Sequence, residues 1–68
     1  MKAYRYITGP DDAEFCRRIT QLLNQGWELA GQPTLTYNAD KKRVICGQTV
    51  LKEISGLEYS EDIDLNSI

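Results

Sequence analysis

Few side chains in this 68-residue sequence have the types and spacing that chemistry needs. Cys16 and Cys46 are the only candidate nucleophiles, and a thiol attacks only as its thiolate. Both read as inert thiols, Cys16 on the apolar stripe of a helix and Cys46 on the core face of a strand. They lie far apart with no paired ligand spacing, and the chain has no histidine, so neither a zinc site nor a Cys–His couple is expected. Asp11, Asp12 and Glu14 cluster just ahead of an apolar-periodic run. Asp11 is expected to cap a helix, with Glu14 three positions on completing an acidic capping box. A helix N-terminus can hold an anion, but three carboxylates there would repel one. Arg17-Arg18 reads as a solvated helix face, with Glu14 in reach of Arg18. No catalytic residue, metal ligand or cofactor is expected from these groups.

The elements that would position them follow from periodicity. Lys2 to Thr8 alternates β-formers with polar residues and reads as a first strand, broken by Gly9-Pro10. From Asp12 to Gln25, Phe15, Cys16, Ile19, Leu22 and Leu23 form one helical stripe. Gly26 stops that helix as the left-handed residue after its cap. A second strand runs from about Trp27 to Tyr37, its odd residues (Trp27, Leu29, Leu35, Tyr37) facing the core. Trp27 should fold under the last helical turn near Leu22 and Leu23. Gly31 and Pro33 interrupt the strand, which marks it as a sheet edge. A loop from Asn38 to Lys41 would pair Tyr37 with Lys42, Leu35 with Val44 and Leu29 with Val50. The third strand, about Arg43 to Ile54, is apolar on both faces and so belongs in the centre. The expected architecture is α+β: a single β-α-β-β domain over residues 1–54, with a three-stranded antiparallel sheet in order 1-3-2 and one helix on one face.

Residues 55–68 differ in character. All eight Lys and Arg lie before them, against six acids there, whereas the tail carries Glu58, Glu61, Asp62 and Asp64 with no base. A mildly positive body with an acidic C-terminal tail is not the concentrated basic face of a nucleic-acid binder. Lys41, Lys42 and Arg43 make a basic hairpin, which is the ordinary chemistry of a soluble turn. The opening Met1 to Tyr6 lacks the apolar core of a secretion signal, and no run is long enough for a membrane span. A cytoplasmic setting with two free, buried thiols is therefore expected.

Joined together, these residues form a pattern: Tyr4-Arg5, Thr8-Gly9-Pro10-Asp11-Asp12, Phe15-Cys16, Leu23-Asn24-Gln25-Gly26-Trp27-Glu28-Leu29, Gly31, Pro33-Thr34-Leu35 and Val44-Ile45-Cys46-Gly47-Gln48 before Lys52. The pattern resembles a family of short bacterial domains, the domain of unknown function DUF1737, over roughly residues 4–53. The resemblance implies the fold and a bacterial cytoplasmic setting, and no reaction.

Three functional readings remain. The first is a non-enzymatic protein-interaction or self-association module. One helix covers one sheet face, so Arg5, Ile7, Ala30, Thr34, Thr36, Ile45, Thr49 and Leu51 are expected to form a mixed apolar surface on the other. A second copy, another protein or the tail would cover it. The second reading is a small-molecule-binding or enzymatic domain. Its shallow site would lie near Trp27, Gly31, Gly47 and Gln48, with Gln48 as donor and the two glycines giving room across the hairpin. The third, nucleic-acid binding by the basic hairpin, has the least support.

Overall fold

A computed structural model describes all 68 residues. Strand β1 (Lys2–Pro10), helix α1 (Ala13–Asn24), strand β2 (Glu28–Asn38) and strand β3 (Arg43–Glu53) follow in that order. The sheet is antiparallel in the order β1-β3-β2, with the doubly apolar β3 in the centre. The architecture is thus the expected β-α-β-β layer pair. Beyond the last strand, Ile54 exchanges amide and carbonyl bonds of 2.8 Å with Met1, so the ladder closes where the tail leaves it.

The first strand runs two residues further than its sequence suggests, through Gly9-Pro10, which pair with Cys46 and Ile45. Proline is tolerated because β1 is an edge strand, where a missing donor costs no ladder bond. The extension also moves the helix start. Asp11 still belongs to the sheet, its amide donating to the Val44 carbonyl at 3.0 Å. Asp12, and not Asp11, is the N-cap: it is extended, and its Oδ1 accepts from the Phe15 amide at 3.1 Å. Glu14 pairs with Arg17, and Arg18 turns to the Thr8 carbonyl.

The helix ends as expected. Gly26 adopts φ +98°, the Trp27 amide donates to the Leu22 carbonyl at 3.1 Å, and the Gly26 amide donates to Leu23. This is the six-to-one and five-to-two pair of a Schellman cap, with Trp27 and Leu22 as its apolar contact. The buried stripe is narrower than the sequence suggests. Phe15, Ile19 and Leu22 face the core, while Cys16 and Leu23 are exposed on the flank. The expectation of two buried thiols therefore holds for Cys46 alone.

The hairpin register is the expected one at its open end, where Leu29 faces Val50, and differs by two near the turn. There Tyr37 faces Val44 and Leu35 faces Cys46. The loop is Ala39 to Lys42, with Asn38 Oδ1 accepting from the Lys41 amide. A bulge absorbs the difference: Ala30 faces Thr49 and Thr34 faces Gly47, so β2 takes four steps where β3 takes two. Gly31, at φ +68°, and Pro33 sit in that bulge. Because the shift is even, no side chain changes face.

Candidate functional site

Residues opposite one another in the sheet share a face, which fixes two surfaces. The helix side carries Ala3, Arg5 and Ile7 of β1, Cys46, Gln48, Val50 and Lys52 of β3, and Leu29, Leu35 and Tyr37 of β2. Its core is Ala3, Ile7, Leu22, Trp27 and Val50. Trp27 is 2% exposed and Val50 fully buried. The indole has two cations over it, with the Arg5 guanidinium 5.6 Å and the Lys52 ammonium 5.8 Å from the ring centroid. Such contacts favour a ring that is flanked by charge at the rim of a core. The tail folds back onto this side. Ile54, Leu65 and Ile68 pack against the core cluster, and Arg5 Nη2 donates to Asn66 Oδ1 at 3.0 Å.

The reverse side carries Tyr4, Tyr6 and Thr8 of β1, Ile45, Thr49 and Leu51 of β3, and Glu28, Ala30, Thr34 and Thr36 of β2. Of the surface residues expected there, Ala30, Thr34, Thr36, Ile45, Thr49 and Leu51 are in place. Arg5 and Ile7 are not: both point to the helix side, Ile7 into the core and Arg5 over Trp27. The reason is a parity the first strand makes ambiguous, since Tyr4-Arg5-Tyr6-Ile7 offers an amphipathic reading either way. Burial of Ala3 and Ile7 under the helix sends both tyrosines outward. Tyr4 and Tyr6 are the surface residues missed by the sequence reading. Strict alternation from Ile7 through Ala3 was the signal that would have found them.

Trp27, Gly31, Gly47 and Gln48 are not brought together in one cavity. Trp27 and Gln48 lie on the helix side, both buried. Gln48 Nε2 donates to the Ala30 carbonyl at 3.2 Å and to the Thr49 carbonyl at 3.0 Å, so its amide satisfies backbone beside the β2 bulge. The space left by Gly47 opens on the reverse side and is already filled. Tyr6 reaches across β3 to exchange a 2.7 Å hydrogen bond with Thr34 Oγ1. A Cβ on Gly47 would collide with the Tyr6 hydroxyl oxygen. A Cβ on Gly31 would meet nothing within 4 Å, so this glycine serves the bulge's positive φ.

Two surface clefts remain. One of about 590 Å³ runs beside the helix N-terminus, lined by Gly9, Pro10, Phe15 and the charged Asp12, Glu14, Arg17 and Arg18. The other, about 280 Å³, lies at the opposite end between Lys2, Glu28, Lys52 and Glu53. Glu28 makes no ion pair with β3 across it. The Cys46 thiol donates to the Gly9 carbonyl at 3.5 Å. Burial, and then the charge of Asp11, push its pKa above the ordinary 9.0, the opposite of what a nucleophile requires. No group of three or more metal-ligating side chains converges anywhere. No helix is long and apolar enough to cross a membrane.

A large part of the exposed apolar surface belongs to β2. Nine of its eleven residues are exposed, including Leu29, Leu35 and Tyr37, three large side chains on the helix side that the helix does not reach. No curated protein and no solved structure matches the chain. A family model does match it, over residues 1–53, which takes in all three strands and the helix and ends where the tail begins. The chain belongs to the family of the domain of unknown function DUF1737.

Proposed function

We propose that this domain is a non-enzymatic protein-interaction module of the bacterial cytoplasm, and that its first partner is a second copy docked along β2 and the adjoining reverse face of the sheet. One observation carries the reading: β2 is an eleven-residue edge strand uncovered on both sides. Leu29 is 55%, Leu35 67% and Tyr37 61% exposed on one side, and Ala30, Thr34 and Thr36 line the other. A long apolar edge is a template for another strand unless something blunts it. Here the bulge at Gly31 to Pro33 protects the first half, and Thr34 to Asn38 remains regular.

Charge favours an antiparallel copy. Lys41 and Lys42 stand at one end of β2 and Glu28 at the other, so a two-fold axis through Thr34 to Asn38 brings opposite charges towards each other. Area is also adequate. Three strands spaced ~4.8 Å and some ~35 Å long offer on the order of 500 Å² of flat sheet. Side-chain relief and the β2 edge raise this towards the ~800 Å² per partner of a standard interface. Two unpaired cysteines accord with a reducing compartment.

Sedimentation velocity from micromolar to millimolar chain tests the reading. The native chain is expected to shift from monomer to dimer, and Leu35→Lys with Tyr37→Lys to stay monomeric with an unchanged circular dichroism spectrum. A native chain that sediments as a monomer throughout would overturn it.

A further inference from the structure

The outer edge of β1 is open, and the helix walls one side of it. Met1 exchanges backbone bonds with Ile54, and the β1–β3 register then runs without a shift from Lys2 to Pro10. Bonding alternates along each strand of an antiparallel pair. The odd residues of β1 therefore bond to β3, and the amides and carbonyls of Lys2, Tyr4, Tyr6 and Thr8 point outward. The Arg18 guanidinium meets the Thr8 carbonyl on that outer edge at 3.4 Å, in agreement with this alternation. No other hydrogen bond within the chain reaches these outward groups. Unlike β2, the edge has no bulge to blunt it.

The larger surface cleft lies against the end of this edge at Gly9 and Pro10, and its other wall is the helix flank of Glu14, Arg18 and Gln21. These three, spaced four and three apart, form one row along the helix. The charges in the cleft are matched except at one point. Arg17 pairs with Glu14, and Asp12 pairs with Arg43 while it caps the helix. The start of the helix is thereby closed by a carboxylate of the chain itself. Arg18 is exposed and belongs to no ion pair. On the reverse side the exposed Tyr6 and Thr8 side chains stand on the same edge.

We propose that the outer edge of β1 is a strand-addition site for an extended segment of a partner protein in which apolar and acidic residues alternate. Backbone bonds to Tyr6 and Thr8 would hold the segment, antiparallel as every pair in this sheet is. An acidic side chain on its helix side would then meet Arg18, and apolar side chains on its reverse side would lie beside Tyr6 and Thr8. The β1 strand of a second copy does not fit, because it carries Lys2 and Arg5 and no carboxylate for Arg18. The site is on the opposite edge from β2, so this proposal stands or falls independently of dimerisation.

The probe is the peptide fluorescein-Thr-Val-Glu-Val-Thr-amide, followed by anisotropy against the full-length chain in low salt. The native chain is expected to bind it saturably, and more weakly as the salt rises. Arg18→Gln should weaken binding about tenfold. A peptide with Gln in place of its Glu should lose as much against the native chain, and nothing further against Arg18→Gln. Thr8→Pro puts a ring where the outward amide points and leaves the inward bonds of Ile7 and Gly9 in place. It should abolish binding with an unchanged circular dichroism spectrum. N-methylation of both valines, whose amides would face β1, should do the same. Leu35→Lys with Tyr37→Lys should bind as the native chain does. Absence of saturable binding overturns the proposal, as does binding that survives Thr8→Pro or N-methylation. So does binding lost in Leu35→Lys with Tyr37→Lys, which would put the peptide on β2.

Discussion

The two edges of this sheet flank the same central strand, and the rows they carry on the helix face have opposite fates. On β1, Ala3 and Ile7 are each 2% exposed. On β2, Leu29, Leu35 and Tyr37 are all more than half exposed. Hydrophobicity does not separate the two rows, since β2 carries the larger side chains. Reach does. A helix with its side chains is about 10–12 Å across, while three strands and their outward-leaning side chains are wider. One helix therefore covers about two strands. Here its buried stripe (Phe15, Ile19 and Leu22) shares one core with Ala3 and Ile7 of β1 and Val50 of β3, to which the tail adds Leu65 and Ile68, with Asn66 bonded to Arg5. The difference shows that a residue's parity in a strand says which way it points, and not whether anything meets it there.

The sharpest way to break this comparison is a matched pair of truncations. Ile7→Ala removes a buried side chain from the covered edge and is expected to cost about 2–5 kcal/mol, whereas Leu35→Ala on the bare edge should stay within about 0.5 kcal/mol. Urea unfolding of both measures it. Equal losses would mean that β2 is buried in solution, which concentration-dependent unfolding would then trace to association. Trp27→Ala removes the ring that shares the core with Leu22 of the helix and Val50 of the sheet, and its expected cost of about 3–5 kcal/mol approaches the whole stability of so small a domain. The chain should then lack cooperative unfolding.

A smaller effect tests the reverse face. Gly47→Ala drives a methyl group into the Tyr6 phenol and breaks its bond to Thr34, at a cost of about 1–3 kcal/mol. Tyr6→Ala in the same chain should recover much of that loss. Without recovery, the phenol is not what fills the space.

The smallest expected effect is in alkali. The Cys46 pKa is raised in the folded state, first by burial and then by Asp11. Ionisation therefore favours unfolding. The thiol's contribution is full below its unfolded value of 9.0 and is lost as the pH rises through the raised folded value. The urea midpoint should fall more steeply above pH 9 in the native chain than in Cys46→Ala. Parallel curves would place that thiol in water.

Much of the fold was legible because the decisive signals are local or compositional. Gly26 after a helical stripe dictates a left-handed cap, and Trp27 directly behind it has little choice but to meet Leu22. Val44 to Leu51, apolar at both parities, can rest only between two strands, and that alone sets the order 1-3-2. The candidate site was less legible. Gly47 and Gln48 are neighbours in sequence but serve opposite faces, one making room for Tyr6 and the other bonding the backbone at Ala30. A glycine shows that space exists and does not show what fills it.

The amino-acid sequence by itself determined the elements, their order and the even parity of the hairpin, because backbone stereochemistry and hydrophobic period act within a few residues. Tertiary structure alone decided that Arg5 and Ile7 turn inward while Tyr4 and Tyr6 turn out, that Asp11 stays with the sheet, and that the tail returns to Arg5 and the core. Those choices depend on which surface one short helix can reach, a question of dimensions that no local pattern encodes.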